Sequence, residues 1–359
     1  MKKRIAILFA LVMTLTAAMA GAEGGMLIVA PNGAPAMAVA GVWAENNDAV
    51  KTINADTIAE AFGSAEADFI IAPINAGAKL FKAGKSTYRL AAVVTWGNLV
   101  FASKAEGFTP EMISGKKLVL FGENTINASI ALYVLEKKGI VPSEVEYLAG
   151  AAETQALLLS GDADTFVMTA EPAVTAAKMK DETITSIPLN DLYKEVTGFD
   201  GFTQAGLFVR EKTAAENPEL IKEGLEKIQA SVEMCEKDPA AVAKNVVAME
   251  ILPKEPVALK ALPGCSIRWM TAGEAREQIE TTAGIDLKQF GGELPADDFY
   301  FSAKYTKKDA EETKRINNGL LPGNRPDRGG SSGGGCTEGK PRCFSGPGRN
   351  RTGPVSAAR

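Results

Sequence analysis

Short apolar runs punctuate the first two hundred positions, each closed by a turn-forming residue and followed by helically spaced small and apolar residues. Residues 26–30 (MLIVA) end at Pro31-Asn32-Gly33, and residues 67–72 (ADFIIA) end at Pro73. Both read as buried strands stopped by a loop. Between them, residues 34–46 read as one Ala-rich helix with Pro35 in its first turn, where proline is tolerated. Residues 89–94 and 99–102 are strands on either side of Thr95-Trp96-Gly97-Asn98.

The pattern restarts near residue 115. Residues 118–121 (LVLF) are a strand, and a polar loop follows. A helix over 127–138 is closed by Gly139. Strands at 145–148, 165–169 and 183–187 then alternate with helices at 152–159 and 173–180. Residues 206–209 (GLFV) begin a further strand, followed by long helices at 218–237 and 239–251. Late apolar residues at 267–270 and 299–301 are expected to return to the body. Strands alternating with helices predict α/β architecture with mostly parallel sheets. Two runs of strand, polar loop and helix, about 90 residues apart, predict two similar lobes.

Composition sharpens this at the ends of the chain. Met1-Lys2-Lys3-Arg4 precedes a charge-free apolar run to Ala20, with small-residue cleavage sites at Ala18/Ala20 and Ala20/Ala22. Residues 1–22 are therefore expected to be a secretory signal peptide, too short to span a bilayer. The protein is expected in a periplasm or another extracytoplasmic space. From Pro322 onward, 38 residues hold ten Gly and five Pro and few large apolar side chains. Residues 322–359 are expected to be a disordered tail, because no core can form from them.

The 359-residue chain contains no histidine. Ser-His-Asp and Cys-His nucleophiles, a histidine base and histidine-ligated zinc are thereby excluded. Net charge is −5, but residues 23–321 alone hold 29 basic and 42 acidic side chains. A body this acidic repels a phosphate backbone, so nucleic acid is not an expected partner. Neither a metal nor an organic cofactor is expected. Cys235 and Cys265 could pair in an oxidising compartment, while Cys336 and Cys343 fall in the tail.

Four stretches stand in a recognisable order: PNGAPAM after the first strand, ISGKKLVLFGENT, LLLSGDADTFVMTAEP and the late GGELPADDFYF. In order and spacing they resemble the solute-binding proteins of ABC importers, of the nitrate/sulfonate/taurine and thiamine-pyrimidine type. The resemblance runs from about Met26 to Tyr305. It implies a two-lobe type II periplasmic-binding-protein fold with two crossing hinge strands, near 96–103 and 202–208. Lobe I would comprise 23–97 plus 207–305, lobe II 98–206, and 306–321 a C-terminal extension. It also implies a small-molecule solute and, as partners, an ABC permease and ATPase complex, with the binding protein acting as a monomer. One enzymatic branch of the family consumes its own histidine, which this chain lacks.

Open α/β sheets bind ligands at the carboxyl ends of their strands, where helix N-termini leave N–H groups free. Asn32 and Gly33 lie on the first such loop and Asn75 on the next. Trp96 sits at the first crossing, available either to stack on a ligand or to fill the hinge. Asn124, Thr125, Asn127 and Ser129 are the densest group of short polar side chains in the chain, more than one helix cap requires. Thr169 and Glu171 follow another strand, and Glu171 either favours the next helix dipole or faces the cleft. Gln204 and Gly206 lie on the return crossing. These loops contain no Lys or Arg. Together with Glu171 and Trp96, that favours a neutral or cationic, heteroaromatic solute. The alternatives are an exported lyase or dehydratase on the same fold, using Glu171 or Asp164 as acid/base, and a ligand-sensing module.

Overall fold

The computed structural model describes residues 25–302. The expected signal peptide, the 306–321 extension and the 322–359 tail lie outside these residues. Eleven strands form two sheets among the described residues. They are β1 (Ile28–Pro31), β2 (Val50–Ile53), β3 (Phe69–Pro73), β4 (Tyr88–Thr95), β5 (Leu99–Ser103), β6 (Lys117–Phe121), β7 (Glu144–Leu148), β8 (Phe166–Ala170), β9 (Thr185–Pro188), β10 (Ala205–Arg210) and β11 (Ile267–Thr271).

The first sheet has the order β11-β4-β10-β3-β1-β2, the second β7-β6-β8-β5-β9. The expected parallel character holds for strand direction but not for pairing. β10 is inserted antiparallel between β3 and β4, and β5 antiparallel between β8 and β9. Each inserted strand follows a passage from the other sheet, so it arrives running against its neighbours. Edge strand β11 also pairs antiparallel with β4, while β1–β2, β1–β3, β6–β7 and β6–β8 are parallel.

Central strands such as β3, β5 and β10 are buried along nearly their whole length. This is why they read as continuous apolar runs rather than alternating ones. One apolar core continues from Ile70 and Phe208 of the first sheet, through Trp96 and Phe202 at the hinge, to Leu118, Phe166 and Tyr193. The other face of each sheet has its own cluster, with Ile71, Leu207 and Val232 in the first and Val100, Val167 and Val174 in the second.

Several local expectations need correction. The helix expected over 34–46 is two, Ala34–Met37 and Ala40–Glu45, because the backbone leaves helical geometry at Val39 (φ −111°, ψ 13°). The helix expected over 173–180 starts two residues earlier and spans Glu171–Lys178, with Pro172 inside its first turn. Strand β2 and the helices Ile58–Ser64, Leu189–Thr197, Glu255–Ala261 and Arg276–Ile285 were not anticipated.

The last of these helices also bears on the expected lobe boundary. Residues 276–286 contact elements that the expected boundaries assign to the second lobe. Thr282 lies 3.3 Å from the Tyr193 hydroxyl and accepts the Thr203 N–H at 3.2 Å. Asp286 accepts the Ser129 hydroxyl at 2.7 Å. Helix Arg276–Ile285 therefore rests on elements of the second lobe. The chain then returns at Tyr300, which bridges to Leu90, and the Phe301 N–H donates to the Leu90 carbonyl at 2.8 Å.

Candidate ligand cleft

The polar residues at the strand ends fall into three groups. The first converges where the chain passes between the sheets. Gln204 donates from its amide to Asn98 Oδ1 at 3.2 Å and to Asn127 Oδ1 at 3.5 Å. Its backbone N–H donates to the Thr95 carbonyl at 3.0 Å, and its carbonyl accepts the Ile74 N–H at 3.0 Å. The Glu171 N–H donates to the Asn98 carbonyl at 2.8 Å. Gln204 thus gathers the first crossing, the start of helix Ile74–Lys82 and the first turn of helix Ile126–Lys137. All three amide side chains, Gln204, Asn98 and Asn127, are half-buried. A side-chain amide both donates and accepts, so this group suits a polar solute without requiring a charge.

The second group lines the rims. Asn32 is exposed and Gly33 half-buried at the end of β1, and Gly33 takes φ +102°. Asn75 lies half-buried in the first turn of helix Ile74–Lys82, whose N-cap is Pro73 rather than a polar side chain. Across from them, Thr125 caps helix Ile126–Lys137 by accepting the Ala128 N–H at 3.4 Å, and its hydroxyl donates to the Gly122 carbonyl at 2.6 Å. Asn124 is exposed, in the left-handed region at φ 57°, which asparagine tolerates better than most residues. Ser129 donates to the Thr125 carbonyl at 3.2 Å as well as to Asp286. Thr125 is committed to the backbone, whereas Asn124 and Asn127 keep donor and acceptor capacity.

The third group serves the scaffold instead. Trp96 is fully buried. Its indole N–H donates to the Arg268 carbonyl at 3.1 Å, and the Arg268 guanidinium covers the ring at 4.3 Å. Of its two expected roles the structure realises the hinge, because no face of the indole is left for a solute. Burial pulls the Arg268 side chain below its ordinary pKa, opposed by Asp200. Thr169 is likewise fully buried, 2.9 Å from the Thr154 hydroxyl, and donates to the Ala151 carbonyl at 3.3 Å. It ties β8 to helix Ala151–Ser160 and has no hydrogen-bonding group free for a ligand. Gly206 lies inside the first sheet, where a Cβ would meet Leu90 at 2.2 Å, so it forms no cleft floor.

Glu171 is half-buried in the first turn of its helix and accepts the Thr175 hydroxyl at 2.9 Å. Burial pushes its carboxyl above the usual range, while Thr175 and Lys178 pull it back. It faces Gly264 so closely that a Cβ there would stand 2.6 Å from the carboxyl carbon. Asp164, the other acid considered, is exposed and paired with Lys116 at 2.9 Å, just before β8 begins. That is the strand end opposite the one expected to hold ligand. Cys235 and Cys265 are free thiols, and burial raises both above the ordinary thiol range. Among the described residues no cluster of Cys, Asp or Glu is placed to hold a metal ion. Surface concavities of about 220 Å³ (around Val29 and Ile53) and about 400 Å³ (around Val42 and Gly224) are lined by none of the residues above. Converging polar atoms mark the candidate site; cavity size does not.

With this geometry in place, a family described as NMT1/THI5 like matches residues 91–242. No curated protein matches the sequence. Among solved structures, an ABC transporter protein from Parabacteroides distasonis superposes with a TM-score of 0.66 at 22% identity, covering 78% of this chain and 99% of that one. The aliphatic sulphonate binding protein SsuA from Escherichia coli gives 0.58 at 15% identity, covering 92% and 99%. The alkanesulfonate-binding protein SsuA from Xanthomonas axonopodis pv. citri, bound to MOPS, gives 0.55 at 17% identity, covering 79% and 99%. The chain has the two-lobed fold of the SsuA-type periplasmic binding proteins.

Sequence reasoning missed Asn98 as a side-chain partner, Asn190 at the hinge, and Asp286 and Gln289 at the rim. Asn190 donates to the Trp96 carbonyl at 2.9 Å, the Gly97 carbonyl at 3.0 Å and Ser266 Oγ at 3.1 Å. Nothing local distinguishes it from a surface residue of an amphipathic helix. Asp286 and Gln289 precede Gly291-Gly292 of the GGELPADDFYF stretch, which was the one available signal.

Proposed function

We propose that this protein is an extracytoplasmic solute-binding protein that captures a small molecule between its lobes and delivers it to an ABC permease and ATPase complex. The observation that carries this reading is the convergence of Gln204, Asn98 and Asn127 where the chain crosses between the sheets. Residues that join both lobes and keep hydrogen-bonding capacity can couple solute capture to lobe closure. In this reading Asn32, Gly33, Asn75, Asn124 and Asn127 contact the solute from the two rims, with Gln204 beneath it. Glu171 faces the cleft when the lobes separate. One lobe is built on each sheet, and residues 276–286 lean on the second before the chain turns back to the first. The protein works as a monomer outside the cytoplasmic membrane, and no described helix is long and apolar enough to cross one.

The solute carries no dominant negative charge, because the six candidate loops hold no Lys or Arg and Glu171 would repel an anion. Catalysis is not part of this reading. Asp164 is held by Lys116 at the wrong strand end, so among the described residues Glu171 has no acid/base partner identified in the cleft.

Native mass spectrometry of the purified protein, followed by thermal shift against pyrimidines, polyamines, taurine, alkylsulfonates and nitrate, tests the proposal. A bound solute is expected to add about 2.7 kcal/mol of stability at a hundredfold excess over Kd and to return chemically unchanged. Gln204→Ala and Asn127→Ala are each expected to weaken it about tenfold, the loss of one buried hydrogen bond. Conversion of the solute would overturn the non-catalytic reading. Selective binding of nitrate or a sulfonate would overturn the charge assignment.

A further inference from the structure

The segment after β11 touches both lobes within a few residues. On the second lobe, Asp286 Oδ2 accepts the Ser129 hydroxyl at 2.7 Å, and Gln289 Nε2 donates to the Asn124 carbonyl at 2.8 Å. On the first lobe, Lys82, at the end of helix Ile74–Lys82, donates to the Gly291 carbonyl at 2.8 Å and pairs with Glu293 at 3.0 Å. Between these contacts Phe290 is buried in the core shared by both lobes. Gly291 and Gly292 take φ +89° and +95°, the left-handed region that lets the chain turn sharply from one lobe to the other. Asp286 is itself held, its Oδ1 accepting the Lys288 N–H at 3.2 Å.

We propose that residues 276–293 form a strap across one side of the cleft, and that Asp286 and Gln289 are positioning residues for the loop carrying Asn124 and Ser129. The importance of that loop for solute capture rests on the cleft reading above; the strap and its test require no solute. Asn124 sits at φ 57°, a conformation with a cost of its own. Its carbonyl is fixed by Gln289 and its neighbouring helical turn by Asp286 through Ser129. Lys82 and Phe290 moor the same segment to the first lobe, so separating the lobes must either stretch the strap or release one mooring. The strap therefore limits opening and delivers the second lobe's loop in one orientation.

Hydrogen–deuterium exchange on the full, solute-free chain tests this, read at the amides of Thr125, Ala128 and Ser129 and at those of β3 and β8 as internal controls. The Asp286→Ala/Gln289→Ala variant is expected to speed exchange at the three loop amides about tenfold and to leave the strand amides unchanged. Asp286→Asn, which keeps an acceptor, is expected to stay near the wild-type rate. Lys82→Ala, on the opposite lobe, is expected to speed the same loop amides about two- to fivefold, the range of a partly exposed ion pair plus one hydrogen bond. A local brace would leave the loop indifferent to Lys82, and that result would overturn the strap. Equal acceleration of loop and strand amides would also overturn it, since it would show general destabilisation. A strap that fails here leaves solute binding untouched, and failure of every solute to bind leaves the strap's exchange pattern intact.

Discussion

At the hinge, Asn190 spends its amide N–H groups on three acceptors, two of them backbone carbonyls of the crossing strand, and Trp96 lies fully buried beside it. At the rim, Asn32 and Asn124 are exposed. The residue type is the same, on a helix at the hinge and on loops at the rim. The difference is that the hinge brings two chain passages together in a dry interior, where Asn190 pairs its N–H groups but leaves its buried Oδ1 without a partner, while the rim can leave its polar groups to water. A cluster of asparagines by itself thus says nothing about ligand binding. What matters is whether the rest of the fold consumes its hydrogen bonds.

The sharpest way to break this contrast is Trp96→Ala. Loss of a fully buried indole, its hydrogen bond and its Arg268 contact is expected to cost about 4 kcal/mol in urea unfolding. A cost under about 1 kcal/mol would mean the indole does not hold the hinge. Asn190→Ala leaves two buried carbonyls without their donor and is expected to cost about 2 kcal/mol by the same measurement. Should it behave like a surface substitution, the hinge would be no drier than the rim.

Glu171→Gln gives a smaller, pH-dependent effect. Because burial raises the folded-state pKa, the native protein holds its proton after the unfolded chain has released one. Wild-type stability therefore falls as pH rises from 4.5, the ordinary value for this carboxyl, through the raised one. The glutamine variant lacks this loss. Its Tm relative to wild type is expected to be higher at pH 7 than at pH 4, and a flat difference would place Glu171 in water. Smallest of all, Asn32→Ala is expected to change stability by less than about 0.5 kcal/mol, as an exposed polar residue should. A solute identified by mass spectrometry should nevertheless bind this variant more weakly, and unchanged Kd would remove Asn32 from the cleft.

Much of the fold was legible because strands buried on both faces must be apolar throughout, so β1, β3, β6 and β8 stand out as short runs closed by turn residues. Strand β2 (VKTI) and helix Leu189–Thr197 did not, since each buries only part of its surface and mixes with the surrounding polar sequence. Within the site, the polar density of 124–129 was visible, as was the placement of Gln204 on the return crossing. The commitment of Thr169 to Thr154, of Thr125 to Gly122 and of Ser129 to Asp286 was not. Ser129 and Asp286 are 157 residues apart, and no local pattern encodes such a partnership.

The sequence by itself determined the alternation of strands and helices, the absence of histidine chemistry, the acidity of the body and the set of loops at the strand ends. These follow from side-chain type and spacing, which act over a few residues. Tertiary structure alone decided that Trp96 belongs to the hinge, that Gln204 gathers Asn98 and Asn127, and that the chain after β11 returns to touch both lobes. Those outcomes depend on which distant groups share a low-dielectric interior and so must satisfy one another. That pairing is set only when the whole chain has folded.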